Sequence, residues 1–152
     1  MLRVCALAVL AVSCVGCSTV YPYKDEARKD AAVVTLKTTL NSAGFLASHE
    51  VDVDVYQREG ECGFAYNGTI EEDDAGAKVP PGQPLYLSVG YYRSGILSNP
   101  VNRENRVYFI PQPSRYYEVD YIKNRDGYSF KLYDVSNGGR TELEWETWRL
   151  CS

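Results

Sequence analysis

Alternation of apolar and polar residues over short segments constrains the fold of this chain more than any other feature. The clearest run is Val51, Val53 and Val55, each followed by an Asp or Tyr. Successive side chains of a β-strand point to opposite faces, so this period of two predicts a half-buried strand. Similar runs begin at Ala32, Cys62, Leu85, Val107, Tyr117, Tyr128 and Leu143.

Turn-forming residues separate these runs. Asp126-Gly127 lies between two alternating segments, which is the strongest short signal for a β-hairpin. Pro111-Gln112-Pro113 ends a strand because proline cannot donate to a ladder, and Asn67-Gly68 predicts a further tight turn. About eight short strands without a long amphipathic helix predict an all-β, antiparallel β-sandwich of seven or eight strands, immunoglobulin- or transthyretin-like.

Composition restricts the protein class. The 152 residues suit one domain, and 45% hydrophobic with 24% charged residues is the composition of a folded protein. The net charge of −4 argues against a nucleic-acid partner, which requires a basic face.

Residues 1–16 have the organisation of an export signal. Arg3 supplies the positive charge, and Val4 to Val15 is uncharged and mostly apolar. This stretch is shorter than the roughly 20 residues that a transmembrane helix requires. A plain secretory signal is one interpretation of this segment.

The end of the signal, Cys14-Val15-Gly16-Cys17, resembles a bacterial lipobox. The resemblance implies cleavage before Cys17 and acylation (palmitate) of this cysteine, which would anchor the protein stably in a membrane. In such lipoproteins an Asp directly after the acylated cysteine signals retention in the inner membrane. Here Ser18 occupies that position, so the resemblance implies that the protein is anchored in the outer membrane and faces the periplasm. Cys14 is an alternative acceptor. Residues 17–30 are then expected to form the lipidated cysteine and a tether, and residues 31–152 the sandwich.

The remaining cysteines favour one structural disulfide. With Cys17 as acceptor, Cys5 and Cys14 leave with the signal, and Cys62 and Cys151 remain as an even pair. Two cysteines and one distant His do not make a zinc site, and a redox pair would more naturally be Cys-x-x-Cys. In an oxidising periplasm the pair is expected to bond.

Most of the mature chain resembles a loose group of small proteobacterial outer-membrane lipoproteins without an assigned activity. The shared features are the lipobox, Cys62-Gly63-Phe64, Pro81-Gly82, and Phe109-Ile110-Pro111 leading to Tyr117-Glu118-Val119. The resemblance implies fold and location only. The outer-membrane lipoprotein of type VI secretion is a neighbouring possibility.

No catalytic set is visible in the sequence. His49 is interpreted as a solvated loop residue, and the four carboxylates Glu71 to Asp74 as a solvated turn rather than a calcium site. Asp52 and Asp54 are interpreted as an exposed row on one strand, with a carboxylate-only glycosidase as the weakest hypothesis. We therefore expect no enzyme, no metal and no cofactor.

The tyrosines provide the best candidate binding surface. Tyr86, Tyr91, Tyr92 and Arg93 lie on one segment, and exposed tyrosines are good anchors for sugars or proteins. The favoured hypothesis is a non-enzymatic interaction or structural module that binds another envelope protein. The alternative is a glycan-binding or hydrolase-inhibitor module, with lysozyme as an example, that uses this tyrosine-rich face.

Overall fold

The computed structural model describes residues 21–24, 26–40, 47–72, 75–95, 98–124 and 127–149, and every regular element in these ranges is a β-strand. None of the described residues forms a helix long and apolar enough to cross a membrane. The strands are β1 (Ala32–Leu40), β2 (Ala47–Glu59), β3 (Gly63–Ile70), β4 (Ala77–Val79), β5 (Leu85–Gly95), β6 (Ser98–Phe109), β7 (Tyr116–Asn124), β8 (Gly127–Asp134), β9 (Thr141–Glu142) and β10 (Glu146–Thr147).

Two five-stranded sheets pack face to face, which confirms the β-sandwich. The first has the order β4-β1-β7-β8-β9 and is called the β7 sheet; the second has the order β10-β6-β5-β2-β3 and is called the β5 sheet. Neighbouring strands are antiparallel except β1 and β7, which run parallel from Val33–Tyr116 to Leu40–Lys123. The expectation of a wholly antiparallel sandwich is therefore wrong at this one pair.

The core lies between the sheets and contains the residues that the alternation predicts. On β5, Leu85, Leu87, Val89 and Tyr91 all point inward and are buried. The β7–β8 hairpin also points apolar side chains into the core. Burial of apolar surface contributes about 25 cal/mol per Å² to the free energy of folding. The opposite face of the β5 sheet is the outer face of the sandwich. The polar residues of the alternating strands point to this face.

The C-terminal segment does not form the single strand predicted from Leu143, Trp145 and Thr147. It forms β9 on the edge of the β7 sheet and then crosses to form β10 on the edge of the β5 sheet. Trp148 follows β10 and is 6% exposed. Its indole Nε1 donates to the Leu87 carbonyl oxygen at 3.0 Å, and its ring lies 4.4 Å from that of Phe64. The indole thus fixes the chain end over the outer face.

The segment expected to be a tether is hydrogen-bonded to the sandwich from Tyr21 onward. Thr69 N–H donates to the Tyr21 carbonyl and Tyr23 N–H to the Thr69 carbonyl, both at 2.8 Å. Gly68 permits this contact: its φ is 123°, and a Cβ there would lie 2.6 Å from Tyr23 Cα. The prediction of a tight turn at Asn67-Gly68 is wrong, because both residues lie within β3 beside an irregularity in its pairing with β2.

Candidate functional site

A cleft of about 510 Å³ opens on the outer face of the β5 sheet. It lies over the middle of β2, β5 and β6, where the outward side chains of three adjacent strands meet. The carboxylates that line it are Glu50, Asp52, Asp54 and Glu104. We call it the acidic cleft.

Strand register creates the floor of the acidic cleft. Gly90 on β5 pairs with Asp52 of β2 on one side and with Glu104 of β6 on the other. Glycine has no side chain to fill the space between these two carboxylates. A Cβ added at Gly90 would meet no atom closer than the Asp52 carbonyl oxygen at 3.9 Å. The gap is therefore open space into which a ligand or a larger side chain fits.

Two of the four carboxylates are tied to neighbouring side chains. Glu104 accepts from Arg106 Nε at 2.7 Å and from Ser88 Oγ at 2.6 Å, and these bonds hold the pKa of Glu104 below its ordinary value. Asp54 accepts from Thr69 Oγ1 at 2.6 Å. These contacts orient both groups on the outer face.

The other two carboxylates have no cationic partner among the described residues. Neither Glu50 nor Asp52 takes part in any ion pair of the described chain. Burial raises the pKa of Asp52, and the negative charges of Glu50 and Asp54 raise it further. At Glu50 and Asp52 the acidic cleft therefore concentrates negative charge that no described residue neutralises by an ion pair.

Exposed tyrosines border the acidic cleft. Tyr92 on β5 and Tyr66 on β3 are each 44% exposed, and Tyr21 lies beside Tyr66 at the N-terminal segment. Tyr66 Oη contacts Thr69 Oγ1 at 2.8 Å and donates to the Tyr21 carbonyl at 3.2 Å, which fixes its ring. Rigid aromatic rings beside carboxylates suit recognition of cations and of apolar side chains.

The tyrosine-rich surface predicted from the sequence is divided between different environments. Tyr91 is 1% exposed and belongs to the core, because its position on β5 points inward. Tyr86 points outward but is buried by the ring of Trp148. Arg93 shares the inward face with Tyr91. Both Tyr91 and Tyr92 line the acidic cleft, and of these two only Tyr92 has an exposed side chain.

His49 and the acidic run also differ from expectation. His49 is on β2 rather than in a loop, and its Nδ1 is hydrogen-bonded to the Tyr91 hydroxyl. Glu72 is exposed but not merely solvated, since its carboxylate accepts from the Thr38 hydroxyl at 2.8 Å. Asp73 and Asp74 lie outside the described residues. Within the described ranges, no three His, Cys, Asp or Glu side chains are placed to hold a metal ion.

The predicted cysteine chemistry falls mostly outside the described residues. Cys17 and Cys151 are not among them, and Cys62 lies in the exposed turn between β2 and β3. Lipidation of Cys17 and the bond between Cys62 and Cys151 stay predictions.

Sequence reasoning missed most of the residues that line the acidic cleft, among them Glu50, Gly90 and Glu104. Glu50 lies two residues before Asp52 and therefore on the same face of the strand as Asp52 and Asp54. The alternation in the sequence was sufficient to predict this. Gly90 and Glu104 are brought to the site by the pairing of β5 with β2 and β6, which no local pattern specifies.

No protein family, curated protein or solved structure was found to match this chain. The function is therefore argued from the geometry of the cleft.

Proposed function

We propose that this protein is a lipid-anchored, non-enzymatic binding module on the periplasmic side of the outer membrane, and that its acidic cleft binds a basic segment of another envelope protein. The observation that carries the proposal is the set of carboxylates around the open floor at Gly90, of which Glu50 and Asp52 lack a cation within the described chain.

A lysine or arginine side chain fits this cleft. Its charge would neutralise Glu50 and Asp52, which relieves the repulsion that adds to burial in raising the pKa of Asp52. Its aliphatic stem would pack on Tyr92 and Tyr66, and cation–π contact with such rings contributes about 0.5–2 kcal/mol. Charge complementarity of this kind increases the association rate and the specificity of protein partners.

The lipid anchor would keep this cleft close to the membrane. Four residue steps separate Cys17 from Tyr21, so the anchor reaches at most about 14 Å before the chain joins the sandwich. Tyr21 also lines the acidic cleft. A lipidated Cys17 would thus present the cleft to partners at the membrane surface.

Packing of the chain end supports the proposed disulfide. Trp148 lies on Phe64, two residues after Cys62, and Cys151 is three residues beyond Trp148. Three residues span at most about 10 Å, so Cys151 cannot lie far from Trp148 along the chain. The immunoglobulin- or transthyretin-like type of the sandwich is likewise a proposal, supported by its two facing sheets and long hairpins.

In-cell crosslinking of the full-length protein tests the proposed function. Wild type is compared with Gly90→Leu, which adds a side chain at the cleft floor where a Cβ meets no atom closer than 3.9 Å, and with Cys17→Ala. We expect one protein partner captured by the wild type and lost in both variants, with Cys17→Ala released to the soluble periplasm. A partner retained by Gly90→Leu contradicts the cleft, and membrane retention of Cys17→Ala contradicts the anchor.

The second candidate function is glycan binding or inhibition of a hydrolase such as lysozyme. It is favoured by the exposed rings of Tyr92 and Tyr66, which flank the cleft as sugar-stacking residues do. Salt separates the candidates: binding of a basic protein weakens as ionic strength rises, whereas stacking of peptidoglycan fragments does not. Saturable, salt-insensitive binding of such fragments that is lost in Tyr92→Ala would replace the first proposal with this one.

A further inference from the structure

Cationic side chains face inward at one end of the sandwich. This hairpin end is where β5 turns into β6 and β7 into β8. Arg93 follows the buried Tyr91 by two positions on β5, and Arg103 on β6 pairs directly with Tyr91. Lys123 follows the buried Tyr121 by two positions on β7. The inward faces of both sheets thus change from apolar to positively charged at the same end.

These cations lack counter-charges in the described chain. Arg28, Arg106, Arg115 and Arg140 each pair with a carboxylate. Arg93, Arg103 and Lys123 are in no ion pair of the described residues. His49, opposite Arg93, has its pKa lowered by burial and then by the charges of Lys123 and Arg93, with no carboxylate acting against them.

Three tyrosines form the floor between these cations, which we call the tyrosine floor: Tyr91, Tyr121 and Tyr128. Tyr91 stacks on Tyr121 at a ring distance of 5.7 Å, and Tyr128 lies 4.7 Å from Tyr91. Burial raises the pKa of Tyr121 and of Tyr91 to about 12, so both phenols keep their protons at neutral pH. The Tyr91 hydroxyl is already hydrogen-bonded to His49 Nδ1, so the Tyr121 hydroxyl is the donor left for a ligand.

Several buried donors at this end have no partner in the described chain. The Tyr121 side chain is 0% exposed and its hydroxyl is unbonded. Arg93 Nε and His49 Nε2 are buried and unbonded as well. A buried polar group without a partner is unfavourable, so a ligand that satisfies these atoms would bind favourably.

We propose that the tyrosine floor and the three cations around it form a binding site for a phosphate group in its doubly charged form. Three positive charges match a dianion better than a single carboxylate, and Arg93 and Arg103 offer the guanidinium geometry that phosphate oxygens accept. The Tyr121 hydroxyl donates from below. The source of the group is either free phosphate or the phosphomonoester of a larger molecule. The site lies between the inner faces of the two sheets, on the opposite side of the β5 sheet from the acidic cleft, and does not depend on that cleft.

Thermal unfolding of the full chain with inorganic phosphate tests this site. Ionic strength is kept constant with chloride, and phosphate at about one hundred times its Kd should raise the midpoint by about 5–11 °C through binding to the folded state. Phosphate also stabilises proteins that have no phosphate-binding site. The informative quantity is therefore the difference in midpoint shift between wild type and variants.

Matched variants give that difference. Arg103→Gln removes one exposed cation, and Tyr121→Phe removes only the buried hydroxyl while it keeps the ring. Both should lose most of the midpoint shift, whereas Arg115→Gln, whose guanidinium pairs with Asp134 elsewhere, should keep it. An equal shift in all four proteins, or no shift in the wild type, overturns the proposal.

Glycerol 3-phosphate distinguishes the two sources. Binding at least about tenfold tighter than inorganic phosphate, with the same loss in Arg103→Gln, assigns the site to a phosphomonoester. Equal affinities assign it to free phosphate.

Discussion

Replacing Trp148 should destabilise the whole sandwich, although this residue is four positions from the end of the chain. A buried Trp covers about 150–250 Å², which at 25 cal/mol per Å² corresponds to roughly 4–6 kcal/mol as an upper estimate. Measured Trp→Ala changes cost about 3–5 kcal/mol. The bond from the indole to the Leu87 carbonyl adds about 1 kcal/mol. We expect Trp148→Ala to cost about 3–5 kcal/mol.

Two further variants separate packing from the hydrogen bond. Trp148→Phe keeps a ring against Phe64 but removes the Nε1 donor, so it should cost about 1–2 kcal/mol. Trp145→Ala removes a Trp that is 37% exposed and should cost less than about 1 kcal/mol, even though its ring contacts Phe130.

Urea unfolding followed by far-ultraviolet circular dichroism measures these changes, because tryptophan fluorescence would itself change. The denaturant slope should stay constant while the midpoint moves. A cost below about 1 kcal/mol for Trp148→Ala, or equal costs for Trp148→Ala and Trp145→Ala, would refute the view that the indole fixes the chain end.

Three other changes should also affect stability. Asp52→Asn should stabilise by about 0.5 kcal/mol at neutral pH. The folded pKa of Asp52 is raised, so its ionisation opposes folding. In urea titrations the gain should decline as the pH falls through that pKa and vanish below the ordinary pKa of an aspartate in the unfolded chain. Gly68→Ala should cost about 1–3 kcal/mol and speed hydrogen exchange of the Tyr23 amide, and unchanged protection there would be inconsistent with the close contact. Cys62→Ala should lower stability by up to about 4.6 kcal/mol, and equal melting of oxidised and reduced wild type would exclude the disulfide.

The local sequence pattern was sufficient to predict many of the strands. The alternation of β5 and the Asp-Gly hairpin of β7 and β8 could be predicted because period and turn chemistry are properties of a few consecutive residues. The parallel pairing of β1 with β7 could not be predicted. It joins segments about eighty residues apart, and the alternation within each strand does not depend on which strand it pairs with.

Tertiary packing overrode local preference at two points. Asn67-Gly68 has the sequence of a tight turn, but the extra space at Gly68 is used by the N-terminal segment instead. The run ending at Thr147 has strand alternation, yet the chain crosses between sheets so that the next residue, Trp148, packs on the outer face.

The candidate site was predictable only in part for the same reason. Asp52 and Asp54 identified a polar row, but their partners across β5 depend on register. Adjacent tyrosines on a strand, such as Tyr91 and Tyr92, must point to opposite faces of the sheet. The sequence does not show which of the two faces is covered by other residues. Tyr86 faces outward and is nevertheless buried, because Trp148 is placed over it from a distant part of the sequence.

Site-specific photocrosslinking in cells tests the central claim most directly. A photoreactive residue replaces Tyr92 at the rim of the acidic cleft or, as a control, Tyr116, which is 54% exposed on the β7 sheet. Our account predicts one partner protein captured from position 92, absent from position 116, and lost when Gly90→Leu fills the cleft. Equal capture from both positions, or capture that survives Gly90→Leu, would contradict it.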